Sequence, residues 1–161
     1  MNPETRLFID GELCEAASGK TYPNINPATE EVMGHAADAG SDDMDRAIAA
    51  ARRAFDETDW STNHAFRHRC LEQLQQGLRT VQEEFKLQIA AETGAPLGIC
   101  GEMGPQCELP IGFIDYTLQT LPDFDWSRDI GISEMMGGKN RRLVEKEAIG
   151  VVACITPWNV P

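Results

Sequence analysis

No segment of this sequence is long and apolar enough to span a bilayer, and the stretch Met1-Asn2-Pro3-Glu4-Thr5-Arg6-Leu7-Phe8-Ile9-Asp10 lacks an extended apolar core behind a basic head. A membrane anchor and a secretory leader are therefore not expected, and the cytoplasm is the default compartment. Basic residues are scarce: 14 Lys and Arg stand against 26 Asp and Glu, for a net charge of −12. That balance argues against non-specific binding to nucleic acid or to an anionic membrane surface. No two cysteines have Cys-x-x-Cys spacing. Cys14, Cys70, Cys100, Cys107 and Cys154 are an odd, scattered set, which fits structural thiols in a reducing compartment better than a disulfide framework. A phosphate cradle is also missing. Gly94, Gly98, Gly101 and Gly104 match neither G-x-G-x-x-G nor P-loop spacing and follow a helical pattern rather than a strand, so they are expected to form a flexible connection.

What is present is the composition of an ordinary globular protein, with 161 residues that are 42% hydrophobic, enough for one core. Leu7-Phe8-Ile9 followed by Asp10-Gly11 predicts an N-terminal hairpin with Leu13 on the return strand. An Asn26-Pro27 turn leads into Val32 and Met33, an expected edge strand. Ser41 is the expected N-cap of the next helix, with Asp42 and Asp43 in its first turn and Arg52 and Arg53 near its end, in agreement with the helix dipole. Its stripe of Met44, Ala47, Ile48, Ala51 and Phe55 reads as core packing rather than a binding face. A second helix from about Asn63 carries Phe66, Cys70, Leu74 and Leu78. Thr80 and Glu83 have capping-box spacing, which predicts a new helix that stops at Gly94 and Pro96. A further helix carries Ile111, Ile114, Leu118 and Leu121 and ends at Pro122. The pattern fades from 123 to 139, and 141–147 then reads as a largely polar strand suited to an exposed edge.

Two places could carry chemistry. His64 and His68 are four apart and could share a zinc ion, but a structural site needs four protein ligands and no fourth is apparent, so helix histidines in solvent are the expectation. The other place is the final stretch, Ile149-Gly150-Val151-Val152-Ala153-Cys154-Ile155-Thr156-Pro157-Trp158-Asn159-Val160-Pro161. Residues 149–155 are apolar, β-branched and short, which predicts a strand buried on both faces of a parallel sheet. A turn with a Trp and an Asn follows. Ligands in open α/β sheets sit beyond the carboxyl ends of strands, where the Asn159 amide could donate to a reacting oxygen. A turn Asn that satisfies neighbouring backbone groups is the other reading.

The stretch 145–161 resembles the segment of the NAD(P)-dependent aldehyde dehydrogenase superfamily that enters the cofactor-binding sheet and ends in Pro-Trp-Asn-x-Pro. The likeness extends to Asn26-Pro27-Ala28-Thr29 and to Glu92-Thr93-Gly94-Ala95-Pro96-Leu97, where the family often has Lys in place of Ala95. The resemblance implies that Asn159 helps form the oxyanion hole. It implies that Ile155, Thr156, Pro157 and Trp158 line the nicotinamide side of the cofactor site, with NAD or NADP as cofactor and an aldehyde as substrate. It also implies a homo-oligomer, dimer or tetramer, in which the segment before the final strand leaves the body as an arm.

The expected fold class is thus α/β. Residues 1–128 would be the N-terminal part of a cofactor-binding domain, 129–147 an oligomerisation arm, and 148–161 the first strand and active-site turn of a Rossmann-like sheet. In the family an aldehyde is oxidised to the acid through a cysteine thiohemiacetal, with a Glu activating water. None of the five cysteines stands in the family's nucleophile motif, and Cys154, the one nearest Asn159, is expected to be an inert thiol inside the strand. The expectation is therefore a fragment lacking the catalytic domain and inactive by itself. A non-catalytic oligomerisation or interaction module is the alternative.

Overall fold

The computed structural model describes residues 4–101, 104 and 106–157. Strands β1 (Leu7–Ile9) and β2 (Glu12–Cys14) pair antiparallel across Asp10 and Gly11. Both turn residues have positive φ, 58° and 80°, the backbone twist that joins two strands through a two-residue loop. Arg53 holds the Asp10 carboxylate at 2.6 Å and so ties this turn to the helix that follows. A second hairpin, which the sequence reading saw only in part, pairs β3 (Thr21–Ile25) with β4 (Val32–Ala37) in the register Thr21↔Ala37 and Tyr22↔Ala36. Its loop is organised by Asn26, whose Oδ1 accepts from the Ala28 N–H at 2.9 Å, as an Asn before Pro commonly does.

Helix α1 (Ser41–Glu57) begins one residue earlier than expected, with Gly40 as N-cap. The Ser41 hydroxyl is not the cap. Instead Asp43, 2% exposed, turns its carboxylate back to accept from Gly40 N at 3.0 Å and from Ala17 N at 3.0 Å. A charged acceptor outcompetes a hydroxyl for orphan N–H groups at a helix start, and here it also docks the β2–β3 connection. The apolar stripe of α1 is not buried as expected. Ala47 and Phe55 are half-covered, but Met44 and Ile48 are exposed, because no described element packs over them.

Helices α2 (His64–Thr80) and α3 (Gln82–Thr93) meet at Val81. Asn63 caps α2 by accepting from Phe66 N at 2.8 Å. The break near Thr80 is as expected, but its cause differs: the Thr80 hydroxyl donates to the Gly77 carbonyl at 2.6 Å, and α3 has no side-chain cap. Gly94 ends α3 in the left-handed region at φ 69°. The glycine-rich connection contains a helical turn, α4 (Leu97–Cys100), and leads to α5 (Glu108–Thr120), followed by a 3-10 turn over Leu121–Asp123. The core gathers where these elements meet, with Ile89, Cys100, Cys107 and Ile111 buried and Leu78, Ala90 and Ala95 packed against them. Gln75 of α2 reaches into it, donating to the Ile111 carbonyl at 3.0 Å and to Asp115 Oδ1 at 2.8 Å.

Strands β5 (Ser127–Met135) and β6 (Gly138–Glu145) form a long antiparallel ribbon turning at Met136 and Gly137, both at positive φ. A bulge at 129–131 is held by Asp129, which accepts from Gly131 N at 2.8 Å and pairs with Arg141. Most of the ribbon is exposed, including its apolar residues Ile132 and Met135.

The segment beyond the ribbon departs from the sequence expectation. Residues 149–155 form no strand, and Ile149 and Ile155 are 91% and 94% exposed. A parallel strand exists only by pairing, and the strands among the described residues are all engaged in separate two-stranded ribbons. The apolar run therefore extends without a ladder beside α1, where Gly150 (φ 110°) lies so close that a Cβ would sit 3.2 Å from Arg52 Nη1. Trp158 and Asn159 lie outside the described residues.

Candidate functional site

The residues expected to line a cofactor are Ile155, Thr156 and Pro157, and all three are exposed, on a backbone with no strand neighbours. The expected oxyanion donor Asn159 and its neighbour Trp158 fall outside the described residues. Binding a dinucleotide takes converging backbone N–H groups for the pyrophosphate and a covered face for each ring. Residues 155–157 do not supply these by themselves, so the described part of the chain is not a complete cofactor site.

Thiols sort by their surroundings. Cys100 and Cys107 are buried in the core, and the Cys107 thiol is pushed up from its ordinary range, chiefly by burial. Cys100 donates to Gln106 Oε1 at 3.3 Å and Cys107 to the Gln82 carbonyl at 3.8 Å, which makes both structural. Cys14 is half-buried with Arg46 Nη2 3.6 Å from its sulfur. Cys154 corrects the sequence reading: it is exposed rather than buried, because the strand that would have enclosed it does not form.

His64 and His68 do not converge. His68 faces Glu72 at 3.4 Å, whereas His64 lies flat on the Trp126 indole with ring centroids 4.1 Å apart and 8° between planes. Among the described residues no three His, Cys, Asp or Glu side chains are placed to hold a metal ion. No described helix is long and apolar enough to cross a membrane. The stack on Trp126 was not legible beforehand, since Trp126 sits where the hydrophobic pattern fades and its partner lies 62 residues earlier.

Comparison with known proteins places these observations. The profile of the Aldehyde dehydrogenase family matches residues 14–161. The chain is 36% identical over 163 residues to aminoaldehyde dehydrogenase 1 of Malus domestica, covering 99% of this chain and 32% of that protein. Against the mitochondrial benzaldehyde dehydrogenase of Antirrhinum majus it is 32% identical over 158 residues, covering 97% and 28%. Among solved structures, betaine aldehyde dehydrogenase of Staphylococcus aureus, in complex with NAD+, superposes with a TM-score of 0.78 at 28% identity, over 99% of this chain and 30% of that one. An apo indole-3-acetaldehyde dehydrogenase gives 0.81 at 28% identity, over 98% and 35%. The chain thus spans about a third of the length of these relatives, and its mixed helices and small sheets follow the N-terminal part of their fold, as the sequence led us to expect. By its sequence over nearly its whole length and by its fold, the chain belongs to the aldehyde dehydrogenase family.

Proposed function

We propose that this chain supplies the N-terminal part of an NAD(P)-dependent aldehyde dehydrogenase, which oxidises an aldehyde to the carboxylic acid. The observation that carries this reading is the family match running through residue 161, so that it includes Pro157-Trp158-Asn159-Val160-Pro161. In that reading Asn159 donates its side-chain N–H to the carbonyl oxygen as negative charge gathers there, and residues 155–158 cover the nicotinamide side of the cofactor. NAD or NADP would accept the hydride. In an enzyme that joins this chain to the rest of the family's fold, Asn159→Ala should lower kcat by on the order of a hundredfold with little change in KM. An unchanged kcat would remove Asn159 from the reaction.

The chain alone should give no aldehyde-dependent reduction of NAD+ or NADP+. Cys100 and Cys107 are enclosed and bonded to core groups, and the remaining thiols are outside the family's nucleophile motif, so the amide has no adduct to stabilise. Steady nucleotide reduction by the purified chain would overturn this.

A second reading has its own support. The β5–β6 ribbon stands exposed with Met136 100% accessible at its tip, which favours an arm over 129–147 that pairs with another copy. Sedimentation should then show a defined oligomer. A monomer at all concentrations would reject the arm.

A further inference from the structure

Among the described residues, the root of the ribbon is held to the body by rings and cations rather than by backbone pairing. Trp126, which precedes β5, lies flat on His64 at the first turn of α2, and Phe124 meets its edge at 4.6 Å. The Arg67 guanidinium sits 5.1 Å from the centre of the indole, and its Nη2 contacts His64 Nδ1. On the other strand, Lys146 follows β6, donates its N–H to the Trp126 carbonyl at 2.9 Å and places Nζ 4.2 Å from the Phe124 ring centre. Both legs of the ribbon therefore converge on a single indole, and that indole is fixed by one helical turn of α2.

We infer that His64, Arg67 and Trp126 form a latch that sets the direction of the β5–β6 ribbon relative to the helical body. These are positioning residues. Flat stacking and the cation over the indole restrict rotation of Trp126 about its side-chain torsions, and the Lys146 N–H hands that restriction to the second strand. Beyond the root, the ribbon is largely exposed, so a body without the latch would carry the same hairpin on a loose joint. The consequence for assembly rests on the arm reading proposed above: an arm must be presented in one orientation to pair with a second copy without paying for ordering it at the interface.

The test uses the whole chain with Trp60→Phe and Trp158→Phe, which leaves Trp126 as the sole indole emitter of the three tryptophans. In that background His64→Ala should raise the acrylamide quenching constant of Trp126 roughly twofold or more, since the ring loses its stacking partner, while His64→Phe, which keeps a flat ring, should restore most of the protection. Arg67→Ala is the second variant should His64→Ala lose its helical far-UV signal, and the same rise is expected of it. Equal quenching in wild type and in the folded alanine variant overturns the latch. Sedimentation of the same samples reads the arm separately. A wild type that forms oligomers, with His64→Ala weakened and His64→Phe restored, supports the link to assembly. A wild type that is monomeric throughout rejects the arm and leaves quenching to decide the latch.

Discussion

Asp43 shows how much one side chain organises at this N-terminal end. Its carboxylate accepts from Gly40 and from Ala17, and Arg46 lies 3.4 Å away. These hydrogen bonds, with the smaller attraction of Arg46, hold its pKa below the usual aspartate value against the opposing effect of burial. A depressed folded pKa means that the stabilisation is present above the unfolded value of about 4 and is lost as pH falls through the lower folded value. Thermal unfolding midpoints of wild type and Asp43→Asn, followed across that acidic range by circular dichroism, should differ most near neutrality and converge at the acid end. Parallel curves would show that the charge on Asp43 is not what matters. Gln75 is the uncharged counterpart. It is 5% exposed and joins α2 to Ile111 and Asp115 of α5, so Gln75→Ala should cost about 1–2 kcal/mol in a denaturant titration. No pattern in the sequence marks either role, because Asp43 reads as one of two first-turn acids and Gln75 as the polar side of a helix; each is decided by what folds against it.

At the scale of elements, Gly94 joins two parts of the fold. Its φ of 69° ends α3, and a Cβ there would lie 2.9 Å from the Pro27 ring. Gly94→Ala should therefore lose about 1–2 kcal/mol from the left-handed backbone alone, and more from the contact with Pro27, in the same titration. A loss below about 0.5 kcal/mol would mean that the chain relaxes around the added methyl. The elements legible in the sequence are those written in local chemistry: Asp10-Gly11 for the first hairpin, the 3.6-residue stripes of α2 and α5, and Gly94 for the end of α3. Those that were not legible depend on distant partners. β5 lacks a clean alternation and turns at Met136-Gly137, a pair carrying only one residue of the usual turn type. Residues 149–155 have the composition of a buried strand, yet composition cannot supply the neighbouring strands that would make them one. The expected site suffers the same limit, since 155–157 can be placed in a cleft only by something that covers them.

For the whole molecule, surface area is the informative quantity. The chain exposes 11919 Å² at 17.8 kDa, whereas a compact monomer of that mass exposes about 8,000 Å². The excess sits in identifiable places: the ribbon, the uncovered side of α1 at Met44 and Ile48, and the extended run from Ile149 to Ile155. Apolar surface left in water contributes nothing to stability until something covers it. This chain spans about a third of the length of the relatives it matches. The same excess predicts a denaturant response. Taking an extended chain as the unfolded reference, this chain buries about a fifth less surface than a compact protein of its mass. Because the slope of unfolding free energy against urea scales with the surface newly exposed, its m-value should fall short of that for an ordinary domain of equal length by about the same fraction. Urea titration followed by circular dichroism, at a concentration where sedimentation finds a monomer, measures this directly. A full-sized m-value under those conditions would mean that the ribbon and the run beyond it fold back onto the body in solution.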